Sequence, residues 1–152
     1  MQSFSAIFQQ NYALTVALSS WLAAQIAKTI INFVLAGQLD IERMWGSGGM
    51  PSAHSALVCS LVIAIAKTSG TSSPLFAIAF VLAAIVMYDA MGVRRAAGQQ
   101  AKVINRLLSD REDEEELLPD GKKLKELVGH TPLEVGSGAL LGILIGVLFP
   151  VG

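Results

Sequence analysis

Four long apolar stretches, separated by shorter polar segments, dominate the pattern of this chain. Each is close to the roughly 18–20 residues that a helix needs to cross the hydrocarbon core of a bilayer. The pattern predicts an all-α integral membrane protein, a helical bundle that forms a single domain over residues 1–152. Its transmembrane helices are expected at about residues 12–35, 51–68, 74–92 and 132–149.

The other segments are polar or amphipathic. Residues 1–10 are short and amphipathic, which is typical of a segment that lies at the membrane interface. Residues 94–130 form a charged loop whose first part is prone to form a helix. Within the first apolar stretch, Gln25, Lys28 and Asn32 fall at positions i, i+3 and i+7 and share one helix face. We expect that face to point into the bundle rather than at lipid.

Composition and charge support this class and predict an orientation. The chain is 53% hydrophobic and its mean hydropathy is +0.55, which is too apolar for an ordinary soluble domain. Of its eleven Lys and Arg residues, eight lie between Arg94 and Lys125. The positive-inside rule therefore places the charged loop in the cytoplasm and both termini outside. We expect a bacterial cytoplasmic membrane protein with no nucleic-acid partner.

A glycine-rich turn before the second apolar stretch is the first candidate site. Gly48 and Gly49 allow a close approach of the backbone to a ligand, and Pro51 suits the first turn of a helix. The free amides and the dipole of that helix start favour a phosphate. Ser52 and His54 add a hydroxyl and a titratable imidazole. The alternative is an ordinary capped helix start.

Counting four spans places most of the other chemically notable residues on the same membrane face as this turn. Three of these residues have an alternative to a role in the site. Lys28 could reach the membrane interface, and Arg94 and Arg95 could be the charged flank of a span. Asp89, just inside a span, is a site candidate unless it only pairs with Arg94 or Lys28. The gathered residues are Lys28, Arg43, His54, Asp89, Arg94, Arg95, His130 and Glu134.

Two interpretations are open for Glu134. Thr131, Pro132 and Glu134 fit a capping box at the start of the last helix. Glu134 also lies four residues after His130, so its carboxylate can orient the imidazole and raise its nucleophilicity. The two roles are compatible.

The last apolar stretch carries a small-xxx-small stripe of Gly138, Gly142 and Gly146. Such a stripe lets another helix approach closely. The approaching helix would belong either to the same bundle or to a second copy in a homo-oligomer. Cys59, inside an apolar stretch, is expected to be a packing residue. No ligand spacing for a metal is evident, and no cofactor is expected.

Several of these motifs resemble one known superfamily. Pro51-Ser52-Ala53-His54 resembles the Pro-Ser-Gly-His motif of the type 2 phosphatidic acid phosphatases, which are related to the vanadium haloperoxidases. His130 followed by Glu134 resembles the third motif of that superfamily, in which an aspartate follows the histidine by four residues. Taken together over nearly the full chain, the motifs look like the divergent branch of this superfamily.

The resemblance implies a metal-independent phosphatase that acts on a lipid phosphomonoester or pyrophosphate through a covalent phosphohistidine. His130 would be the nucleophile, Glu134 its orienting carboxylate and His54 the general acid. The remaining residues would hold the phosphate, with Asp89 in an orienting role. That set is Lys28, Gly48, Gly49, Ser52, Arg94, Arg95 and Asp89.

The chain also departs from the superfamily pattern. Leu124 stands six residues before His130, where the superfamily has an arginine, and Ala53 replaces a glycine. The chain has room for about four spans, whereas the superfamily bundle has six. The alternative function is a non-catalytic binder or carrier of anionic lipids that keeps a degenerate site. A third is a structural partner that oligomerises through the glycine stripe.

Overall fold

A computed structural model describes residues 11–36, 49–109, 123–126 and 128–151. The prediction of an all-helical protein is confirmed for these residues. The amphipathic segment 1–10 lies outside the described residues. Within the described ranges five helices follow one another: α1 Tyr12–Ala36, α2 Ala53–Ser69, α3 Pro74–Met91, α4 Val93–Leu108 and α5 Pro132–Leu148.

Four of the helices begin at side-chain caps. At the start of α1, the Oδ1 atom of Asn11 accepts a hydrogen bond from the amide of Leu14 (3.0 Å). Ser52, Ser73 and Thr131 each accept a hydrogen bond from a backbone amide in the first turn of the helix that follows. Pro74 and Pro132 occupy the first turns of α3 and α5, where a missing amide hydrogen costs nothing. These short-range signals fix where the apolar helices start.

Helix α2 is the centre of the bundle and packs against α1, α3 and α5. Its buried residues are mostly small, and in the described structure none of its large apolar side chains is exposed. Helices α1, α3 and α5 expose large apolar side chains along their outer faces, such as Ile26, Ile78 and Leu140. Small residues inside and large apolar residues outside are typical of a bundle whose solvent is lipid.

Helices α2 and α5 run parallel and touch through the glycine stripe. The contacts pair Gly138 with Ser52, Gly142 with Ala56, and Gly146 with Ser60 and Ile63. A β-carbon on Gly142 would lie 2.3 Å from the carbonyl oxygen of Ala56, so only glycine permits this separation. The stripe therefore serves packing within the bundle, one of the two alternatives. A homo-oligomer stays a prediction.

Helix α1 runs antiparallel to α2 and α5. The Ser20 hydroxyl donates to the carbonyl of Ala56 (3.0 Å) in the middle of the bundle. At one end, the Tyr12 hydroxyl donates to the carbonyl of Phe149 (2.9 Å). We call this the Tyr12 end. The other end, which contains Ser52 and His130, is called the site end.

Among the residues that the structure describes, two segments are by length and composition able to cross a membrane. They are Tyr12–Val34 in α1 and Pro74–Leu108, which comprises α3 and α4. Helices α2 and α5 have 17 residues each, or about 25 Å of helix, slightly less than a bilayer core. The membrane bundle is supported, and the count of four spans stays a prediction.

The charged loop predicted at 94–130 begins with a regular helix. Helix α4 follows α3 after one non-helical residue, Gly92. The chain then returns along α4 as a strap, defined as residues 123–126 and 128–129. Gly98 of α4 lies directly against the strap, because a β-carbon there would sit 2.5 Å from the carbonyl oxygen of Glu126. Residues 110–122 lie outside the described part of the chain.

Candidate functional site at the site end of the bundle

His130 and Glu134 form the best defined contact of the site. The Nδ1 atom of His130 lies 3.0 Å from the Oε2 atom of Glu134. That same oxygen accepts a hydrogen bond from the amide of Thr131 (3.1 Å), and the Thr131 hydroxyl accepts from the amide of Glu134 (3.3 Å). The capping box and the contact with the imidazole are both present. The carboxylate that stabilises the helix start also holds the histidine ring.

The backbone around His130 is fixed against the end of α3 and the start of α4. The amide of His130 donates to the carbonyl of Ala90 (2.9 Å). Gly129 before it has a φ of +86°, and a β-carbon there would lie 2.4 Å from the backbone nitrogen of Arg95. Only glycine fits that conformation and that approach. The His130 side chain is thereby held 94% buried.

The first turn of α2 lies beside His130. The amide of Ser52 donates to the carbonyl of Glu134 (3.0 Å). The Ser52 hydroxyl is fully buried and accepts hydrogen bonds from the amide and the hydroxyl of Ser55 (3.4 and 3.0 Å). Ser52 is therefore the helix cap. Pro51 precedes the cap rather than opening the helix as the sequence suggested, because the helix begins at Ala53.

Lys28, on α1, brings a positive charge to the site end of the bundle. Its side chain is only 8% exposed, so it is buried inside the bundle rather than directed to the interface. Its aliphatic stem lies against Gly49, where a β-carbon would be 3.5 Å from the Lys28 Cδ atom. The charged group is close enough to Glu134 and His54 to interact electrostatically with both. The predicted inward-pointing face of the first span is thus confirmed at Lys28.

Arg94 and Asp89 lie at the junction of α3 and α4. The Nε atom of Arg94 donates to the Oδ2 atom of Asp89 (2.5 Å), which is the pairing considered for Asp89 from the sequence. This hydrogen bond occupies the Nε edge of the Arg94 guanidinium. Arg94 is still close enough to His54 for its positive charge to act on that imidazole.

The structure thus brings most of the predicted site residues to one end of the bundle. The exposed Arg95 side chain makes no hydrogen bond or ion pair within the described ranges. Gly48 and Arg43 lie outside the described residues. The catalytic and phosphate-binding roles stay predictions. The residues gathered around the imidazoles are Lys28, Gly49, Ser52, His54, Asp89, Arg94, His130 and Glu134.

Asn105 is a residue whose importance sequence reasoning missed. Its side chain donates to the carbonyl of Leu124 (2.9 Å) and to Glu126 (3.0 Å), and accepts from the amide of Leu124 (3.0 Å). It therefore fastens the strap that leads to His130. A signal was present, because Gly98, Ala101 and Asn105 are small or polar at i, i+3 and i+7 on α4.

Within the described ranges, no group of three or more His, Cys, Asp or Glu side chains is placed to hold a metal ion. The polar groups of the site are instead two imidazoles, one carboxylate beside an imidazole, and two cations. Two helix starts meet there as well, and each presents the positive end of its dipole, although the caps engage the amides of Ser55 and Glu134. This arrangement suits a phosphate group.

Comparison with known proteins places this geometry in a family. The chain is 43% identical over 144 residues to a protein of Bacillus subtilis (strain 168) described as "Uncharacterized membrane protein YuiD", covering 89% of this chain and 91% of that protein. No solved structure matches the chain. The model of the "Divergent PAP2 family" matches residues 9–145. The resemblance seen in the sequence is therefore confirmed, and the chain is a membrane protein that belongs to the Divergent PAP2 family.

Proposed function

We propose that this protein is a membrane-embedded phosphatase that hydrolyses a lipid phosphomonoester or pyrophosphate through a phosphohistidine intermediate. The contact of the His130 Nδ1 atom with Glu134 is the observation that carries the proposal. With Nδ1 engaged, the Nε2 atom is the ring nitrogen left to attack phosphorus. Membership of a family related to the phosphatidic acid phosphatases supports the same chemistry.

The reaction takes place in two displacements at phosphorus. In the first, His130 Nε2 forms a bond to phosphorus while the bond from phosphorus to the leaving oxygen breaks. His54 gives its proton to that oxygen as general acid. In the second, water attacks the phosphohistidine, His54 takes the proton of the water, and the bond between nitrogen and phosphorus breaks to release phosphate. Glu134 stabilises the positive charge that the imidazole of His130 carries in the phosphohistidine.

Charge stabilisation comes from the groups around the two histidines. Lys28 and Arg94 are close enough to His54 for their charges to act on it, and they would act in the same way on a phosphoryl group between the imidazoles. They would balance the negative charge on the phosphoryl oxygens. The first-turn amides that the caps do not engage, those of Ala53, His54 and Leu133, would be further donors. The Ser52 hydroxyl has a structural role as cap, so the α2 amides take over the phosphate contact expected of it.

The site would face the cytoplasm, because the basic residues concentrate at the site end of the bundle. Exposed Ser109 follows α4 at this end and gives a test of orientation. In a Cys59→Ala background, a cysteine at Ser109 should react with a membrane-impermeant maleimide only after the cells are opened. Labelling of intact cells would reverse the orientation.

Phosphate release by the purified full-length protein tests the activity. A panel of lipid phosphates would be assayed with and without vanadate, beside His54→Ala and His130→Ala. We expect turnover that vanadate inhibits and that both substitutions abolish. In a single turnover with labelled substrate, His54→Ala should retain more phosphohistidine than His130→Ala, which cannot form it. Absence of release from every substrate by folded protein would overturn the proposal.

One observation favours a second candidate, a non-catalytic binder of anionic lipids. Leu124, in the position of an expected arginine, offers only its backbone to Asn105 and brings no charge to the phosphate. A binder would retain lipid phosphate without releasing phosphate. Its affinity would fall on Arg94→Gln but not on His130→Ala. This pattern distinguishes the binder from the enzyme, which requires His130.

A further inference from the structure

Helix α4 has three faces with different properties. One face is buried against the strap and consists of Gly98, Ala101 and Asn105. A second face is basic and carries Arg95, Lys102 and Arg106, spaced at i, i+7 and i+11. A third face carries the large apolar residues Val93, Val103, Ile104 and Leu107, with Gln100 among them.

The apolar face has no cover within the described part of the chain. Val93 is 67% exposed and Leu107 is 69% exposed. Val103 and Ile104 are exposed as well. The basic side chains are exposed as well. Large apolar residues in a row would be unfavourable in water, so this face needs an apolar environment.

The position of α4 indicates which environment that is. Helix α3 is an apolar helix with outward-facing Ile78 and Ile85, and it ends at Met91. Helix α4 begins two residues later, at the boundary where α3 reaches the site end. Gly92 between them leaves the helical conformation, with φ of −97° and ψ of −95°, so the two helices need not continue in one line.

We propose that α4 is an interfacial helix that docks on anionic lipids in the membrane leaflet at the site end. The apolar face inserts at the boundary of the acyl chains, and the basic face contacts negatively charged head groups. Charge complementarity supports an anionic partner, because α4 has four basic residues and no acidic residue. Basic residues beside a membrane are attracted by a negative leaflet surface.

The docked helix would also set the position of the site. The strap is fastened to α4 by Asn105 and packs closely on Gly98. His130 follows the strap directly, at the level where α4 meets α3. A helix held on the head groups thus keeps His130 at the depth at which lipid phosphates lie.

Fluorescence quenching tests the docking without any reference to catalysis. The full-length Cys59→Ala protein in nanodiscs would carry one cysteine, at Leu107 on the apolar face or at Gln99 on the exposed polar side as the matched control. Each cysteine would carry an environment-sensitive fluorophore. Acyl-chain-linked quenchers should quench the label at Leu107, and aqueous acrylamide should quench the label at Gln99.

A second arm tests the choice of lipid. Nanodiscs with phosphatidylglycerol would be compared with nanodiscs of phosphatidylcholine alone. Acyl-chain quenching at Leu107 should be stronger with the anionic lipid. Lys102→Gln and Arg106→Gln should remove that gain, each weakening the docking equilibrium by about fivefold. The gain should persist in protein that carries Gln99→Ala, a change on the same helix that removes no charge.

Three results would overturn the proposal. Equal acrylamide quenching at both positions would place the apolar face in water. Protection of Leu107 from both quenchers, or disulfide formation between two copies through this position, would place it against protein. Equal acyl-chain quenching in both lipid compositions would show insertion without recognition of anionic head groups. None of these results depends on whether the protein releases phosphate.

Discussion

The amide of Ser52 donates a hydrogen bond to the carbonyl of Glu134 across 3.0 Å and holds the first turns of α2 and α5 at the same level. Because the two helices are parallel, their positive dipole ends open on the same volume. The cap residue of one helix is therefore joined to the backbone of Glu134, the residue of the other helix whose carboxylate contacts His130. The separation of α2 and α5 controls the geometry of the whole site.

Substitution of Gly142 tests this dependence. A β-carbon there would lie 2.3 Å from the backbone oxygen of Ala56, so Gly142→Ala should force the helices apart and destabilise the protein by about 1–3 kcal/mol. Gly136→Ala is the matched control on the same helix, since no atom lies within 4 Å of its added β-carbon. That control should be neutral or stabilise the helix by up to about 1 kcal/mol. Thermal unfolding in detergent would compare the two.

Equal unfolding temperatures for the two glycine variants would contradict the parallel packing of α2 on α5. A loss of self-association on Gly142→Ala with unchanged unfolding would assign the stripe to a contact between copies instead.

Local features of this protein were predictable from sequence, and contacts between distant segments were not. The spacing of His130 and Glu134 predicted their contact, although His130 lies just before the cap Thr131 and is not itself part of the helix. The glycine stripe indicated close packing but carried no information about which helix would fill it. Asn105 and Leu124 are 19 residues apart and do not belong to the same helix, so no helical periodicity predicts their contact. Helix α2 begins at Ala53 and not at Pro51 as the sequence suggested, because Ser52 is the N-cap.

Lys67 should contribute to stability at the Tyr12 end. Its Nζ atom donates to the carbonyls of Gly146, Val147 and Phe149 at 3.3, 3.1 and 2.6 Å, groups that the end of α5 leaves without helical partners. Lys67→Met should lower stability by about 1 kcal/mol because these hydrogen bonds are lost. Thermal unfolding measures the change, and the lipid composition should be kept constant.

Lys67→Arg is the control for charge at this position, because it keeps a donor near the carbonyls. It should recover part of the lost stability. A destabilisation by Lys67→Arg as large as that by Lys67→Met would mean that the carbonyl contacts are not the source of the effect.

Asn105→Ala should release the strap. The substitution removes both hydrogen bonds with the backbone of Leu124 and leaves that backbone without its side-chain partners. We expect a loss of about 1–3 kcal/mol and faster hydrogen exchange at the amide of Leu124. Exchange measured by mass spectrometry in nanodiscs would locate the change to the strap.

Gln99→Ala is the matched control on the exposed side of α4 and should leave exchange in the strap unchanged. Unaltered exchange at Leu124 in the Asn105 variant would show that other contacts, such as the packing on Gly98, hold the strap by themselves.

The two roles of Glu134 can be separated by a pair of substitutions. Glu134→Gln keeps an oxygen for the amide of Thr131 but removes the negative charge beside His130, so the fold should persist while phosphate release falls about 10²–10⁴-fold. Thr131→Ala removes the hydroxyl that caps the amide of Glu134 and should cost about 1 kcal/mol of stability with unchanged release per folded molecule. Unfolding temperature and phosphate release would be measured for both.

The reverse outcome would change the interpretation of the pair. If Glu134→Gln destabilises the protein as much as Thr131→Ala and leaves phosphate release intact, the carboxylate acts only as part of the capping box. His130 would then need no negative partner, although its Nδ1 atom lies 3.0 Å from that carboxylate. A loss of release confined to Glu134→Gln would instead assign the carboxylate to the imidazole, because only that variant changes the charge beside His130.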